Sequence, residues 1–364
     1  MFYKFLYSLK DHYSVFNVFQ YITFRVALAA FTSFVICILL GPRFIRALKQ
    51  MNIKSRFHEE ATVIYEYHKD KAQTPSMGGL LILISVLSAI LLWGDLSNLY
   101  VCIALFSSVW LSVIGFIDDY KKNARHSSKG LSAKKKFMGQ AVLALVIFVY
   151  LFHFPENKQI SLSLYFPLFK SWVVYLGPFY IFLAFIVIVG SSNAVNLTDG
   201  LDGLAVGCSV IAMAAYAVLS YIAGHSVFSA YLHVPFVPGA GELTVFCASV
   251  VGAGLGFLWY NCHPAEIFMG DTGSLFLGGT IGVVALLIKQ ELLLILIGGV
   301  FVLEALSVIF QVLSFKITKK RIFLVAPIHH HFQAKGWDES RVITRFWIVA
   351  FVCAVLGLAA LKLR

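Results

Sequence analysis

The chain has 364 residues, of which 59% are hydrophobic and only 13% are charged, with 29 Lys and Arg against 18 Asp and Glu. A soluble protein of this length would expose too much apolar surface to water, so the composition excludes that class and indicates an integral membrane protein. The net charge of +11 does not indicate a protein that binds nucleic acid, because the basic residues are concentrated in a few loops between apolar segments.

The apolar segments are long enough for helices that cross the lipid core, which takes about 20 residues per helix. We predict an all-α, polytopic membrane protein in which residues 1–364 form a single domain. The ten predicted spans are 22–41, 77–94, 99–117, 137–154, 172–192, 200–222, 241–260, 273–288, 292–315 and 342–361.

The distribution of positive charge predicts which loops share a side of the membrane. Loops 42–76, 118–136 and 316–341 contain seven, seven and six Lys or Arg residues. With ten helices these loops lie on one side, which the positive-inside rule makes cytoplasmic, and both termini are then periplasmic. By parity, loops 191–203 and 261–274 join the cytoplasmic set. All five loops are polar and rich in motifs, so we predict an active site on this face.

Two adjacent aspartates, Asp118 and Asp119, follow the third predicted span directly. Neighbouring carboxylates repel by about 4 kcal/mol at 4 Å and an effective dielectric near 20. Aspartate is also unfavourable at the negative, C-terminal end of a helix dipole. The pair therefore favours a site that holds a cation, although a solvated helix end neutralised by Lys121 and Lys122 would give the same pattern.

The segment NAVNLTDGLDG carries a polar residue at every third position: Asn193, Asn196, Asp199 and Asp202. On a helix these side chains form one polar stripe. The alternative is a glycine-rich loop with ordinary Asn and Asp turn chemistry. Because an apolar span follows Asp202 at once, and a buried charge is costly in a membrane, we interpret the segment as functional.

The segment NCHPAEIFMGDTGS ends with an aspartate, Asp271, directly before another apolar span. That aspartate fits an N-cap, which is worth about 1 kcal/mol. It equally fits a ligand of Mg²⁺, which prefers carboxylate and phosphate oxygens. The segment alone does not decide between a cap and a ligand.

Three consecutive histidines, His329, His330 and His331, stand in PIHHHFQAKGW. Consecutive positions do not supply the i,i+4 spacing of zinc ligands on a helix. We interpret the run as a loop that presents imidazoles to phosphate oxygens, beside the basic residues 319–321.

The ninth predicted span carries Glu304 and Gln311, which are seven residues apart and therefore share a helical face. A glutamate within a membrane helix usually faces a cavity or a partner. We interpret this face as lining a groove for a ligand. An interhelical hydrogen bond is the alternative.

Taken together, the motifs resemble one superfamily of membrane enzymes, the polyprenyl-phosphate N-acetylhexosamine-1-phosphate transferases. The forms of the first and last motifs point to its branch that acts on muramoyl-pentapeptide. Two departures are Ser76, where Thr is expected, and Gln333, where Glu is usual. The motifs, in the order of the superfamily, are TPSMGG (74–79), GFIDDYKK (115–122), NAVNLTDGLDGLA (193–205), NCHPAEIFMGDTGS (261–274) and APIHHHF (326–332).

The resemblance implies a magnesium-dependent enzyme of the bacterial cytoplasmic (inner) membrane. It would transfer phospho-MurNAc-pentapeptide from UDP-MurNAc-pentapeptide to undecaprenyl phosphate, forming the first lipid-linked peptidoglycan precursor and releasing UMP. Its partners would be these two substrates, the lipid bilayer and a second copy in a homodimer. One alternative is a sibling transferase that uses UDP-GlcNAc. The other is a transporter of lipid intermediates, which would place its charges near the bilayer midplane and release no UMP.

The resemblance also implies roles for individual residues. Asp271 and Asp119 would bind Mg²⁺, and Asp118 would deprotonate the lipid phosphate before its direct attack on the sugar phosphate. A double displacement through an aspartyl-phosphate is the rival scheme. The implied uridine contacts are Lys71, Asp199, Asp202, Asn261 and Phe268, with Phe268 stacked on the base. The implied contacts to phosphate or sugar are Asn196, Lys122, Lys134 and the catalytic His330, and the substrate-binding set is completed by His329, His331 and Gln311.

Overall fold

The computed structural model describes residues 2–51, 74–123, 130–153, 158–167, 169 and 171–362. It is a bundle of helices, as the sequence predicts, with one small β-hairpin that the sequence analysis does not predict. The α-helices are α1 (Phe2–Ser8), α2 (Ile22–Gln50), α3 (Gly79–Trp93), α4 (Leu99–Asn123), α5 (Ala133–His153), α6 (Lys158–Ser161), α7 (Tyr180–Thr198), α8 (Leu204–Ala223), α9 (Ser226–Leu232), α10 (Leu243–Asn261), α11 (Gly270–Leu287), α12 (Leu293–Ile297), α13 (Gly299–Thr318), α14 (Ile328–Ala334) and α15 (Glu339–Ala360).

Nine helices in the described ranges are long and apolar enough to cross a membrane. They correspond to nine of the ten predicted spans, which confirms a polytopic, all-helical membrane protein. The remaining predicted span, 77–94, is the 15-residue helix α3. At a rise of 1.5 Å per residue α3 extends for about 22 Å, which is less than the ~30 Å hydrocarbon core.

Two helices, α10 and α11, form the centre of the bundle. In the apolar segments of α10 and α11, 78% and 89% of the residues are buried, whereas in that of α2 only 22% are buried. Helix α10 packs on α2 and α8, and α11 packs on α4 and α7. Glycine permits the closest contacts, since a Cβ on Gly252 would collide with the Ala30 carbonyl and a Cβ on Gly278 with the Ser191 carbonyl. Small residues of this kind let membrane helices approach closely.

The hairpin consists of β1 (Ser163–Tyr165) and β2 (Val173–Tyr175), paired antiparallel with Leu164 opposite Val174. It lies at the end of the bundle where α7 begins and α11 has ended. Lys289, which is 2% exposed, donates to the Ser161 carbonyl at 3.0 Å and to Glu291 Oε1 at 2.7 Å. This buried ion pair ties the base of the hairpin to the segment that follows α11.

We expect Gly278→Ala to lower the free energy of unfolding by about 1–3 kcal/mol, because the new methyl group meets backbone and Cβ atoms of α7. Thermal unfolding in detergent measures the effect. Gly190→Ala in α7 is the matched control, since nothing lies within 4 Å of its Cβ position. Equal melting temperatures for the two variants would contradict the close packing of α7 and α11.

Candidate functional site

Three aspartates from two helices meet at one end of the bundle. Asp118 and Asp119 lie near the end of α4, and Asp271 lies in the first turn of α11. One carboxylate oxygen of each lies within 4.8 Å of those of the other two. Asp118 and Asp119 are 0% and 4% exposed. The three carboxylates are therefore gathered into one acidic cluster, as the motifs predict.

Asp119 fixes the start of α11. Its Oδ1 accepts a hydrogen bond from Asp271 N at 3.1 Å, and its Oδ2 accepts from Thr272 N at 2.9 Å and Thr272 Oγ1 at 2.6 Å. The first N–H groups of a helix have no partner within the helix, so a carboxylate supplied by another helix satisfies them. Gly270 adopts a φ of 72°, and a side chain there would meet Asp119 Oδ2. Glycine is thus required at this position.

Two lysines neutralise the other two aspartates. Lys122 Nζ lies 2.5 Å from Asp118 Oδ2 and 3.3 Å from Asp271 Oδ2. Lys136 Nζ lies 2.8 Å from Asp118 Oδ2 and also contacts Asp271 Oδ2. The Leu131 amide donates to Asp118 Oδ1 at 2.5 Å. Asp118 is consequently covered by both ammonium groups, while Asp271 keeps 16% of its side chain exposed.

The basic residue of α5 in this cluster is Lys136, which the sequence analysis does not single out; Lys134 stays a predicted contact to phosphate or sugar. Lys134 is exposed and lies two residues earlier in α5, which is about 200° around the helix. A run of three lysines does not reveal which one faces inward. The signal that was missed is Gln140, one turn after Lys136, because a polar residue in an otherwise apolar stretch marks the buried face.

The predicted polar stripe is partly helical. Helix α7 ends at Thr198, so Asn193 and Asn196 lie on it whereas Asp199 and Asp202 lie in the turn before α8. Asn196 Nδ2 donates to Asp271 Oδ1 at 3.0 Å and to Ser274 Oγ at 2.8 Å. The prediction of one continuous helical stripe is therefore wrong beyond residue 198, because the helix terminates before the two glycines of DGLDG.

Asp202 and Asn261 hold the backbone of neighbouring segments together. Asp202 Oδ2 accepts from Ala265 N at 3.1 Å and lies 3.0 Å from His263 Nδ1. Asn261 accepts from Gly203 N at 3.0 Å and donates to the Ile267 carbonyl at 2.8 Å. Both are 3% exposed. Their contacts with this backbone position the loop 199–203 beside the loop that precedes α11.

Asp199 is surrounded by negative charge. Burial, together with the carboxylates of Asp271, Asp119 and Asp202, raises its pKa well above the ordinary value of 3.8. The sign follows from charge, since both burial and neighbouring anions disfavour the ionised form.

The three histidines lie on a short helix, α14, and not on the loop that was predicted. Successive residues of a helix point about 100° apart, so the imidazoles face different partners. His329 is 0% exposed, and its Nδ1 lies 3.1 Å from Oε1 of the equally buried Glu304. His330 Nδ1 lies 2.8 Å from Gln333 Oε1. His331 Nδ1 accepts from Leu324 N at 3.2 Å.

Two further predicted residues interact with the backbone, and one lies outside the description. Gln311 Oε1 accepts from Ile322 N at 3.0 Å and from Phe323 N at 2.9 Å, and its Nε2 donates to the Phe323 carbonyl at 2.9 Å. Phe268, which is partly exposed, pairs through its backbone with Pro75 and Gly78 of the TPSMGG motif. Lys71 lies outside the described residues. Glu304 and Gln311 thus contact different partners, and the groove along this face stays a prediction.

The donor set of the acidic cluster fits a divalent cation. Its three carboxylates offer the hard oxygen ligands that Mg²⁺ prefers. Two lysines oppose three negative charges, so the cluster keeps a net negative charge that favours a cation. Asp119 uses three of the roughly four lone-pair positions of its carboxylate, which leaves one for a ligand bond. A second group in the described part of the chain, Asp202, His263 and Glu339, has similar spacing.

Comparison with known proteins agrees with this site. Residues 101–289 match the family model described as glycosyl transferase family 4. The chain is 52% identical to the phospho-N-acetylmuramoyl-pentapeptide-transferase of Desulfosudis oleivorans, with 100% of each chain covered. It is 50% identical to the proteins of the same name from Thermodesulfovibrio yellowstonii and Oleidesulfovibrio alaskensis, again over 100% of each chain.

These relatives are bacterial, and nine described helices are suited to crossing a membrane. The protein is therefore a multi-pass protein of the bacterial cytoplasmic membrane. The match to the family model spans the residues that carry Asp118, Asp119 and Asp271. The chain belongs to glycosyl transferase family 4 and, within it, to the phospho-N-acetylmuramoyl-pentapeptide transferases.

Proposed function

We propose that the protein transfers phospho-MurNAc-pentapeptide from UDP-MurNAc-pentapeptide to undecaprenyl phosphate and releases UMP. The observation that carries the proposal is the acidic cluster with its two lysines, located within the segment that matches the family. Donor and acceptor are both anionic, so their mutual repulsion has to be masked before they react. Positively charged side chains and a divalent cation do this in phosphoryl transfer.

The cofactor in this proposal is Mg²⁺, held by Asp271 and by the remaining lone pair of Asp119. When bound, the ion would neutralise charge on the diphosphate. Lys122 and Lys136 bind phosphate oxygens, and Asn196 orients Asp271 through its 3.0 Å hydrogen bond. Lys122 is 44% exposed, so it is accessible to a substrate.

Asp118 is the proposed base. Its Oδ2 becomes accessible when Lys122 and Lys136 turn from the carboxylates to the incoming phosphates. Asp118 then takes the proton of the lipid phosphate, and the phosphate oxygen attacks the β-phosphorus of the donor while UMP leaves. The rival scheme makes an aspartate the nucleophile, with an aspartyl-phosphate as intermediate.

The donor end of the site is proposed to lie along the loop 199–203 and the segment before α11. Asp199 contacts the uridine, and Phe268 stacks on the base. Asp202 and Asn261 position this surface through their backbone contacts. Lys71, Lys134, Gln311 and the three histidines stay in the proposed substrate-binding set on the family resemblance, with His330 as the histidine that assists catalysis.

The orientation in the membrane is also a proposal. The basic loops place the acidic cluster on the cytoplasmic side, where a soluble nucleotide donor and a lipid headgroup can meet. Both termini are then periplasmic. A homodimer is proposed on the family resemblance alone, and cross-linking in native membranes tests it.

Purified protein with both substrates and Mg²⁺ should release UMP, and Asp271→Asn should abolish that release while the melting temperature stays close to that of the unmodified protein. The physical reason is the loss of the anionic ligand in the first turn of α11. Reactions without undecaprenyl phosphate, with EDTA, or with UDP-GlcNAc as donor are the controls. UMP release that persists with EDTA would remove the cation from the mechanism, and lipid-linked product from UDP-GlcNAc would identify the sibling activity.

Lys136→Met should lower kcat/KM by about 10²–10³, the usual effect of removing one preorganised electrostatic group. Lys135→Met is the matched control, because it makes the same change on the same helix at an exposed position that has no proposed role. We expect that variant to retain nearly full kcat/KM, measured by UMP release. Equal losses in the two variants would show that Lys136 acts only through the general positive charge of α5.

Asp118→Asn should lose activity at neutral pH, since an amide cannot accept the proton of the lipid phosphate. Exchange of labelled UMP into the donor, measured without undecaprenyl phosphate, separates the two schemes. Direct attack predicts no exchange in the unmodified protein. Rapid exchange there would establish the double displacement, and full activity of Asp118→Asn would exclude this residue as the base.

A further inference from the structure

A glutamine is buried in the membrane-spanning part of α5. Gln140 is 1% exposed and lies one helical turn after Lys136, on the same face of the helix. Most of the helix from residue 141 to 152 is apolar. A buried amide costs free energy in such surroundings unless all its hydrogen-bonding groups have partners.

Both ends of the Gln140 amide are bonded to α7. Its Nε2 donates to Ser192 Oγ at 2.9 Å, and its Oε1 accepts from Asn193 Nδ2 at 2.9 Å. Asn193 Nδ2 also donates to the Val189 carbonyl at 2.8 Å, which holds this side chain against its own helix. The two hydrogen bonds of Gln140 to adjacent residues therefore depend on the rotation of α7.

One turn nearer the site, the same two helices meet again through Asp271. Lys136 of α5 contacts Asp271 Oδ2, and Asn196 of α7 donates to Asp271 Oδ1 at 3.0 Å. Asn193 and Asn196 are three residues apart and share a face of α7. The three side-chain contacts join Gln140 to Asn193, Asn196 to Asp271, and Asp271 to Lys136. Together with α7 between residues 193 and 196 and α5 between residues 136 and 140, they form a closed path.

The path restrains the rotation and the axial position of α5 relative to α7. Rotation matters here because Lys136 faces the acidic cluster whereas Lys134, about 200° away, is exposed. A displacement of about 1 Å at a reacting group can lower a rate by about 10²-fold. The alternative is that the hydrogen bonds of Gln140 only join the two helices. They would then stabilise the bundle without affecting the position of Lys136.

We propose that Gln140 is a positioning residue that holds α5 in the rotation at which Lys136 faces the acidic cluster. The inference rests on the proposed transferase function. Gln140 touches neither the acidic cluster nor a substrate. Its effect on turnover is exerted through Lys136 and is therefore lost when Lys136 is replaced.

A double-mutant cycle tests this coupling. The first variant is Gln140→Met, which is similar in volume and lacks the amide. The second is Lys136→Arg, which keeps the positive charge on a different side chain. The third combines both substitutions. Ser192 Oγ and Asn193 Nδ2 retain their bonds to the Val189 carbonyl in Gln140→Met, so the fold is maintained. Melting temperatures in the same detergent check this point. The readouts are kcat and the KM for the donor, from UMP release.

Trp110→Phe is the matched control. Trp110 Nε1 donates to the Gly139 carbonyl at 2.9 Å, so this variant removes a different bond to α5 beside residue 140. It loosens the same helix without breaking the closed path. The control is measured in the unmodified and in the Lys136→Arg background.

We expect Gln140→Met to lower kcat about tenfold in the unmodified background and less than about twofold in Lys136→Arg, with the KM for the donor nearly constant. Trp110→Phe should give the same ratio in both backgrounds. Equal losses from Gln140→Met in both backgrounds, or an unchanged kcat, would overturn the positioning role alone. An unmodified protein that releases no UMP would overturn the proposed function and this inference with it.

Discussion

The mutual repulsion of three carboxylates, held within 4.8 Å of one another, is the constraint on which the site depends. Helix α4 supplies two of the charges but only part of their compensation, through Lys122. Asp118 and Asp119 come from α4, Lys136 comes from α5, and the backbone amides that donate hydrogen bonds to Asp119 come from α11. The charges are therefore balanced only in the assembled bundle, since the aspartates are tolerated only where these three helices converge.

The packing of the bundle explains how helices can converge so closely. Helices α10 and α11 are surrounded by other helices, and glycines along them bring backbone against backbone. Lipid supplies little hydrophobic drive between helices, so close packing and interhelical hydrogen bonds do most of the work. Gln140 and Ser192, two polar side chains inside the bundle, accordingly bond to each other across neighbouring helices.

The sequence predicts the parts of this molecule that follow from strong local signals. Apolar length gives the spans, and adjacent acidic motifs give Asp118, Asp119 and Asp271. It fails where the answer depends on where a helix ends or which way it faces. The stripe from Asn193 to Asp202 is interrupted because α7 stops at Thr198. Which lysine of α5 faces the acidic cluster depends on the rotation of the helix, and a run of three identical residues does not encode that rotation.

The end of α10 and the loop that follows it join three of the motifs through hydrogen bonds of backbone and side-chain groups. Phe268 bonds with Pro75 and Gly78, Ala265 bonds with Asp202, and Asn261 bonds with Gly203. The motifs at residues 74–79, 193–205 and 261–274 are thus assembled into one surface by the conformation of a single connector. A chimera that exchanges one of these motifs between distant relatives would have to exchange the connector as well.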